Sequence, residues 1–237
     1  MNLFRRRRSA PEETADASGP QAAPAGADDA TADDAPADRG PFDVSQVRDG
    51  VTRVDLGALR VPPRPGMELR LELEEKTQRV IAATIGLAGS TVQLQAFAAP
   101  RTEGIWDEIR TEIAAQVTRS GGSADEVHGS FGRELLARLP VRTPEGRTAH
   151  RPARFVGIDG PRWFLRCVFS GPAAADEAAA APLEEVVRGT VVVRGNEAMA
   201  PRDLLPLRLP AQGRPGEEQA GGPAVATTTG DDVTSSG

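Results

Sequence analysis

Two histidines, one cysteine and one lysine are the side chains in this 237-residue sequence best placed to trade protons or form covalent bonds near neutral pH. His128 and His150 stand 22 residues apart, with no second Cys or His near either, so the spacing of a structural zinc site is missing. Ser123 or Ser130, His128 and Asp125 can be assembled on paper into a nucleophile, base and acid. No Gly-x-Ser-x-Gly elbow frames them, and both histidines read as loop residues. Cys167 alternates with Trp163, Leu165 and Phe169, the pattern of a small buried hydrophobe rather than a reactive thiol. Lys76 falls in a turn and is the sole candidate for lysine chemistry. Asp107, Glu108 and Glu112 suit a solvated helix face, and no Asp-x-Asp cluster, phosphate loop or dinucleotide fingerprint occurs. The expectation is no catalytic residue, no metal ligand and no cofactor.

Binding is better provided for. The stretch Arg154 to Gly171, RFVGIDGPRWFLRCVFSG, holds four of the nine aromatic residues around an Asp159-Gly160-Pro161 bend. If it is a hairpin, Trp163, Leu165, Cys167 and Phe169 turn inward. Arg162, Phe164 and Arg166 then share the other face with Arg154 nearby. Such an Arg-Phe-Arg ladder can stack on a base or pair with Glu68, Glu72 and Glu74. Pro-Arg recurs at Pro63-Arg64, Pro100-Arg101, Pro161-Arg162 and Pro201-Arg202. Turns of this kind, brought together, would make an Arg-lined rim for an anion or an acidic peptide. The interaction residues selected are therefore Arg101, Trp106, Arg154, Asp159, Arg162, Trp163, Phe164, Arg166 and Arg202.

The elements that must position them follow from periodicity. Val51 to Val61 reads as a strand. MELRLELE sets Met67, Leu69, Leu71 and Leu73 on one face and Glu68, Arg70, Glu72 and Glu74 on the other, a half-buried strand. RVIAATIGLA and TVQLQAFAA complete a three-strand meander. Ile105, Ile109, Ile113 and Val117 recur every four residues and predict a helix over 102–119, capped by Thr102 and stopped by Gly121-Gly122. Trp106 sits beside that stripe. ELLARLPV, a Thr143 to Gly146 turn, HRPARFVGI and RWFLRCVFS form a second meander. DEAAAAPLEEVVR suits a helix interrupted or restarted at Pro182, and TVVVRG a short buried strand. PRDLLPLRLP should run extended over the core because of its prolines. The predicted class is α+β, mainly antiparallel, with two strand meanders each followed by a helix. FAAP (97–100) matching FSGP (169–172) hints at two similar halves.

Composition sets the boundaries. Residues 9–38 contain no large apolar side chain, and 211–237 are equally poor, so 1–39 and 211–237 read as disordered tails around one domain at 40–210. The net charge of −6 lies wholly in the tails, −3 in each, and the body is neutral. Arg outnumbers Lys 27 to 1, which fits GC-rich coding better than phosphate recognition because acids balance the body's arginines. Arg5 to Arg8 precede an acidic run rather than an apolar one, so a signal peptide is not expected. No apolar run reaches the ~18 residues of a membrane span. A lone cysteine fits a reducing compartment, and the expected location is the cytoplasm.

The blocks GPFDVSQV, DLGALRVPPRPGMELRLE, VQLQAFAAPRTEGIWDEIR, RFVGIDGPRWFLRCVFSG and VVVRGNEAMAPRDLLPLRLP together resemble an actinobacterial family of uncharacterised proteins, domain-of-unknown-function family 3710, over about residues 40–210. The resemblance implies no established activity, cofactor or catalytic residue. Members tend to be encoded near a dUTPase and a small OB-fold protein, an association that leans toward work linked to nucleic acid. Three readings stand at this point. The first is a non-enzymatic interaction or scaffold module that docks a protein partner or copies of itself. The second is a nucleic-acid-associated protein using the Arg-rich hairpin face and the N-terminal Arg run. The third is an enzyme of unrecognised type acting on an anionic substrate.

Overall fold

The computed structural model describes residues 40–101, 104–144 and 146–210, together with the backbone of 225–226. Twelve strands occur in order: β1 Phe42–Asp43, β2 Val54–Asp55, β3 Leu59–Val61, β4 Glu68–Leu73, β5 Val80–Leu87, β6 Ser90–Ala98, β7 Ser123–Gly129, β8 Gly132–Arg142, β9 Thr148–Gly160, β10 Trp163–Ser170, β11 Val191–Val192 and β12 Val225–Ala226. Helix α1, Trp106–Arg119, follows β6, and helix α2, Glu177–Gly189, follows β10. The longer strands form one sheet in the order β12-β4-β5-β6-β10-β9-β8-β7. Within it β4-β5-β6 is one antiparallel meander and β7-β8-β9-β10 a second, joined along β6 and β10. The short strands form a separate sheet, β1-β11-β3-β2. This is the α+β, largely antiparallel arrangement that periodicity implies.

Alternation decides which layer each residue joins. On β10, Trp163, Leu165, Cys167 and Phe169 enter the main core with Leu69, Leu71, Ile85, Val92 and Leu94 of the first meander. Leu183, Val186 and Val187 of α2 and Leu59 and Val61 of β3 pack in that core as well. Phe164 points to the other side, into a smaller cluster under α1 with Ile105 and Trp106. The large sheet therefore has α2 and the small sheet on one face and α1 on part of the other.

Met67, just before β4, and Leu69 and Leu71 on it are buried and Glu68 and Arg70 exposed, until a register shift between Glu72 and Leu73 ends the regular alternation. Helix α2 is continuous through Pro182, with the Asp176 carboxylate accepting from the Ala179 N–H at 3.0 Å. The expected break there does not occur. Strand β7 is a further departure. SADEVHG carries no alternating large apolar residues because β7 is an outer strand, largely exposed and held by its ladder to β8. His128 and His150 consequently sit on strands, not loops.

The Pro-rich stretch crosses the sheet as expected, and the crossing opens a fork. Strands β5 and β6 pair only from Ala83↔Leu94 to Leu87↔Ser90. Beyond that they part, and the 204–208 strap fills the gap. Leu204 bridges to Phe97 and Leu207 to Val80, the Leu205 N–H donates to the Ala96 carbonyl at 2.9 Å, and the Arg208 N–H donates to the Leu56 carbonyl at 2.9 Å. Leu205 and Leu207 are buried in the fork. The tails at 1–39 and 211–224, and residues 227–237, lie outside the described residues. The backbone of 225–226 is the exception, and it pairs with β4.

Candidate functional site

Three of the four Pro-Arg turns meet at one end of the sheet. Residue 162 ends the β9–β10 bend, and its carbonyl accepts from the Ala99 N–H at 3.0 Å. The Arg202 N–H donates to the Ala98 carbonyl and the Ala98 N–H to the Asp203 carbonyl, both at 2.8 Å. Pro100-Arg101, Pro161-Arg162 and Pro201-Arg202 are thereby neighbours. Pro63-Arg64 is not among them, since Arg64 pairs with Glu185 of α2 at 3.0 Å. Arg162 and Arg202 hold φ of 62° and 72°, conformations that favour glycine. At Arg202 the side chain gives a structural reason. Its guanidinium reaches Glu108 at 2.7 Å and Glu112 at 3.1 Å, tying the strap to α1. Arg162 and Arg194 differ. Arg162 donates to the Gly195 carbonyl at 3.5 Å, and Arg194 donates to the carbonyls of Arg162 and Glu197 at 3.1 Å each. Arg162 also acts on the Asp43 carboxylate through its charge.

Beside this rim lies the fork. A cleft of about 850 Å³ opens there, lined by the ends of β4 and β5 at Leu73, Val80 and Ile81 and by Met199, Leu204 and Leu209. Leu204 is 37% exposed and Leu209 57%, two large apolar side chains open to water at the two ends of the strap.

A second constellation, not anticipated from sequence, lies on the α2 side of the sheet. Arg154 of β9 donates to Glu134 of β8 at 3.2 Å and to Glu184 of α2 at 2.8 Å, and Arg188 reaches Glu184 at 3.3 Å. Arg154 stacks over the Phe169 ring at 4.3 Å, and its Nε has no hydrogen-bond partner among the described residues. Glu134, Arg154 and Glu184 are all buried. Burial, with some repulsion from Glu184, pushes the Glu134 carboxyl above its ordinary value despite Arg154 and the Phe131 N–H. At Glu184 burial pushes the same way, but hydrogen bonds from Ser130 and Arg154 and the charges of Arg154 and Arg188 outweigh it, and the net shift is downward. A cavity of about 190 Å³ adjoins Glu134 and Arg154 at the start of α2. His128 also lines it, but its ladder partner is Arg133, which alternation places on the face opposite Glu134. Among the described residues no group of three His, Cys, Asp or Glu is arranged to hold a metal ion.

A family model described as "Protein of unknown function (DUF3710)" matches residues 40–215, about three quarters of the sequence. The chain belongs to this family. No curated protein matches it.

The nine interaction residues selected from sequence scatter through the DUF3710 domain. Trp163 is buried, its indole N–H donating to Asp43 at 2.9 Å. Burial pushes that carboxyl up, but hydrogen bonds from Ser45 and Trp163 and the charge of Arg162 outweigh it and hold it below its ordinary value. Phe164 is buried between Phe97 and Trp106, each ring centroid 6.0 Å away. Trp106 is buried too, and its indole N–H donates to the Arg133 carbonyl at 2.6 Å. Asp159 caps α1, accepting from the N–H groups of Ile105 at 2.8 Å and Trp106 at 3.3 Å. Arg166 shares a face with Phe164 as alternation requires, but it contacts Gln95 and lies 5.5 Å over Phe97, with burial lowering its pKa. Glu72 does not meet it. Glu72 accepts instead from Thr84 at 2.6 Å and Gln93 at 2.8 Å. Arg154 lies on the opposite face of the sheet from Arg166. Only Arg101, Arg162 and Arg202 gather at the rim. The burial of Phe164 leaves the Arg-Phe-Arg ladder without an open ring. The cleft and the Arg154 network escaped sequence reading because strand separation and buried pairing leave no local motif. The one available signal was a Glu and an Arg, 134 and 154, each directly before apolar residues of its strand, Leu135-Leu136 and Phe155-Val156.

Proposed function

We propose that this domain is a non-enzymatic interaction module, and that it docks a protein partner presenting an apolar segment. The observation that carries this reading is the cleft at the β5–β6 fork, with Leu204 and Leu209 exposed on its strap. Large apolar side chains rimmed by polar and charged groups are the composition from which protein interfaces are built. Glu74, Arg79, Glu197 and Asp203 also line the cleft, so charges of both signs are available there to set the orientation of a partner. We place this work in the cytoplasm, a reading supported by the single free cysteine.

The test is tagged purification of the full chain from its native host, with wild type compared against Leu204→Asp/Leu209→Asp. The double variant should lose a stoichiometric partner that wild type retains, with melting temperature unchanged, because neither side chain is buried. A partner held equally by both proteins would end this reading. A titration with single-stranded DNA at low salt should be flat. Binding that falls steeply with salt would instead favour the nucleic-acid reading.

A further inference from the structure

Arg166 of β10 carries a charge that no carboxylate among the described residues answers. Alternation turns it, with Phe164, to the α1 side of the sheet. One terminal N–H donates to the Gln95 side-chain oxygen, and Gln95 is itself buried and donates to the Ile81 carbonyl at 3.3 Å. The Arg166 Nε–H, shut off from water, has no hydrogen-bond partner among the described residues. Burial lowers the pKa of Arg166 with nothing to offset it. Arg110 and Arg202 show the contrast, since Asp107 and Glu126 raise the first and Glu112 and Glu108 the second. A guanidinium deprived of both water and a carboxylate is costly until another anion completes its shell.

Alongside it lies a cavity of about 260 Å³ between α1 and the sheet. Helix α1 packs chiefly on β7, β8 and β9, and the cavity lies where its second half meets β8, β9 and β10. Ile113 and Val117 of α1, Leu139 of β8 and Phe155 of β9 supply its apolar walls. Ile113, Leu139 and Phe155 stop short of full burial there. Gln116 and Ser120, one helical turn apart, add neutral polar groups, and Arg166 is the one charged residue. The other two cavities differ in this respect. The one beside Arg154 also holds Glu134, Asp176 and Glu177, and the fork holds Glu74, Glu197 and Asp203. An apolar pocket with a single convergent cation is the form of a site for a small amphipathic anion. A carboxylate matches a guanidinium by accepting two parallel N–H bonds. A cavity of roughly 150 Å³ takes benzene, so this one takes about ten non-hydrogen atoms.

We infer that the cavity between α1 and β10 is a binding site for a small carboxylate with an apolar chain, its headgroup held by Arg166 and its chain packed among Ile113, Leu139 and Phe155. The site shares no residue with the cleft at the fork, and either reading can fail alone.

Calorimetric titration of the full-length chain with octanoate, about ten non-hydrogen atoms and ionised at pH 7, tests it. Wild type should bind one equivalent with a Kd at or below about 1 mM. Octan-1-ol, which keeps the chain and lacks the charge, should bind at least about tenfold more weakly. Arg166→Met removes the charge and keeps an unbranched stem. It should lose octanoate affinity by at least about the same factor, while its melting temperature holds or rises. Ile113→Trp fills the cavity from the helix side and should abolish binding with Arg166 intact. Absence of saturable octanoate binding to wild type overturns the inference. So does equal wild-type affinity for octan-1-ol, or unchanged octanoate affinity in Arg166→Met. Displacement of octanoate by equimolar inorganic phosphate also overturns it, by naming a bare anion as the occupant.

Discussion

Arg154 faces two buried carboxylates with one charge, and the environment separates them. Burial raises the pKa of Glu134, whereas at Glu184 hydrogen bonds and the charges of Arg154 and Arg188 outweigh burial and lower it. Glu184→Gln removes the carboxylate that Arg154 and Arg188 share and should cost about 3 kcal/mol, whereas Glu134→Gln should cost within about 1 kcal/mol, as read by urea unfolding. The two carboxyls act in opposite directions on the pH profile. Glu134, raised in the fold, contributes stability that is complete below its unfolded value near 4.5 and is lost as pH rises through its folded value. Glu184, lowered, contributes stability present above 4.5 and lost as pH falls through its folded value. The Tm of Glu134→Gln relative to wild type should accordingly climb from the ordinary carboxylate range toward neutrality. A flat or falling difference would refute the assignment.

At the scale of elements, α1 shows what periodicity can and cannot reveal. Its stripe of Ile109, Ile113 and Val117 was legible, and so was its end, where the Gly122 N–H donates back to the Val117 carbonyl at 2.9 Å. Its beginning was not. The helix starts at Trp106, Ile105 offers no capping side chain, and the cap comes from Asp159, 54 residues away from Ile105. The predicted cap, Thr102, lies outside the described residues. Asp159→Ala should cost about 1 kcal/mol and raise hydrogen exchange over Ile105–Ile109, leaving α2 unaffected. An unchanged first turn would show the cap to be dispensable. Strand β7 was invisible for the complementary reason, since pairing without burial leaves no apolar period. Alternation sets Arg162, Phe164 and Arg166 on one face, offered as a contact surface, without saying what covers it. Here α1 covers part of it, and Gly157 is where the approach is closest, since a Cβ on it would overlap the Trp106 ring.

For the whole molecule, the two meanders, the two helices and the extended strap could all be read from the chain. The fork could not, since it depends on where β5 and β6 stop pairing. Cys167 lies at the centre of the resulting core, and burial pushes its thiol far above the ordinary range. A thiol reagent should leave it unmodified in the native protein and label it at the rate of global unfolding, followed by mass spectrometry across a denaturant series. Labelling without denaturant would show that the core opens locally. The seam between β6 and β10 has a kinetic consequence. Each meander closes through short hairpins, so either can knit locally and fast, but the two ribbons meet only where residues such as Gln95 and Arg166, 71 apart in sequence, come into register. The entropy of closing that loop falls due before any of the seam's hydrogen bonds can repay it. Alignment of the two ribbons is therefore expected to be the slow step of folding, so substitutions along the β6–β10 seam should slow refolding more than those at the hairpin turns.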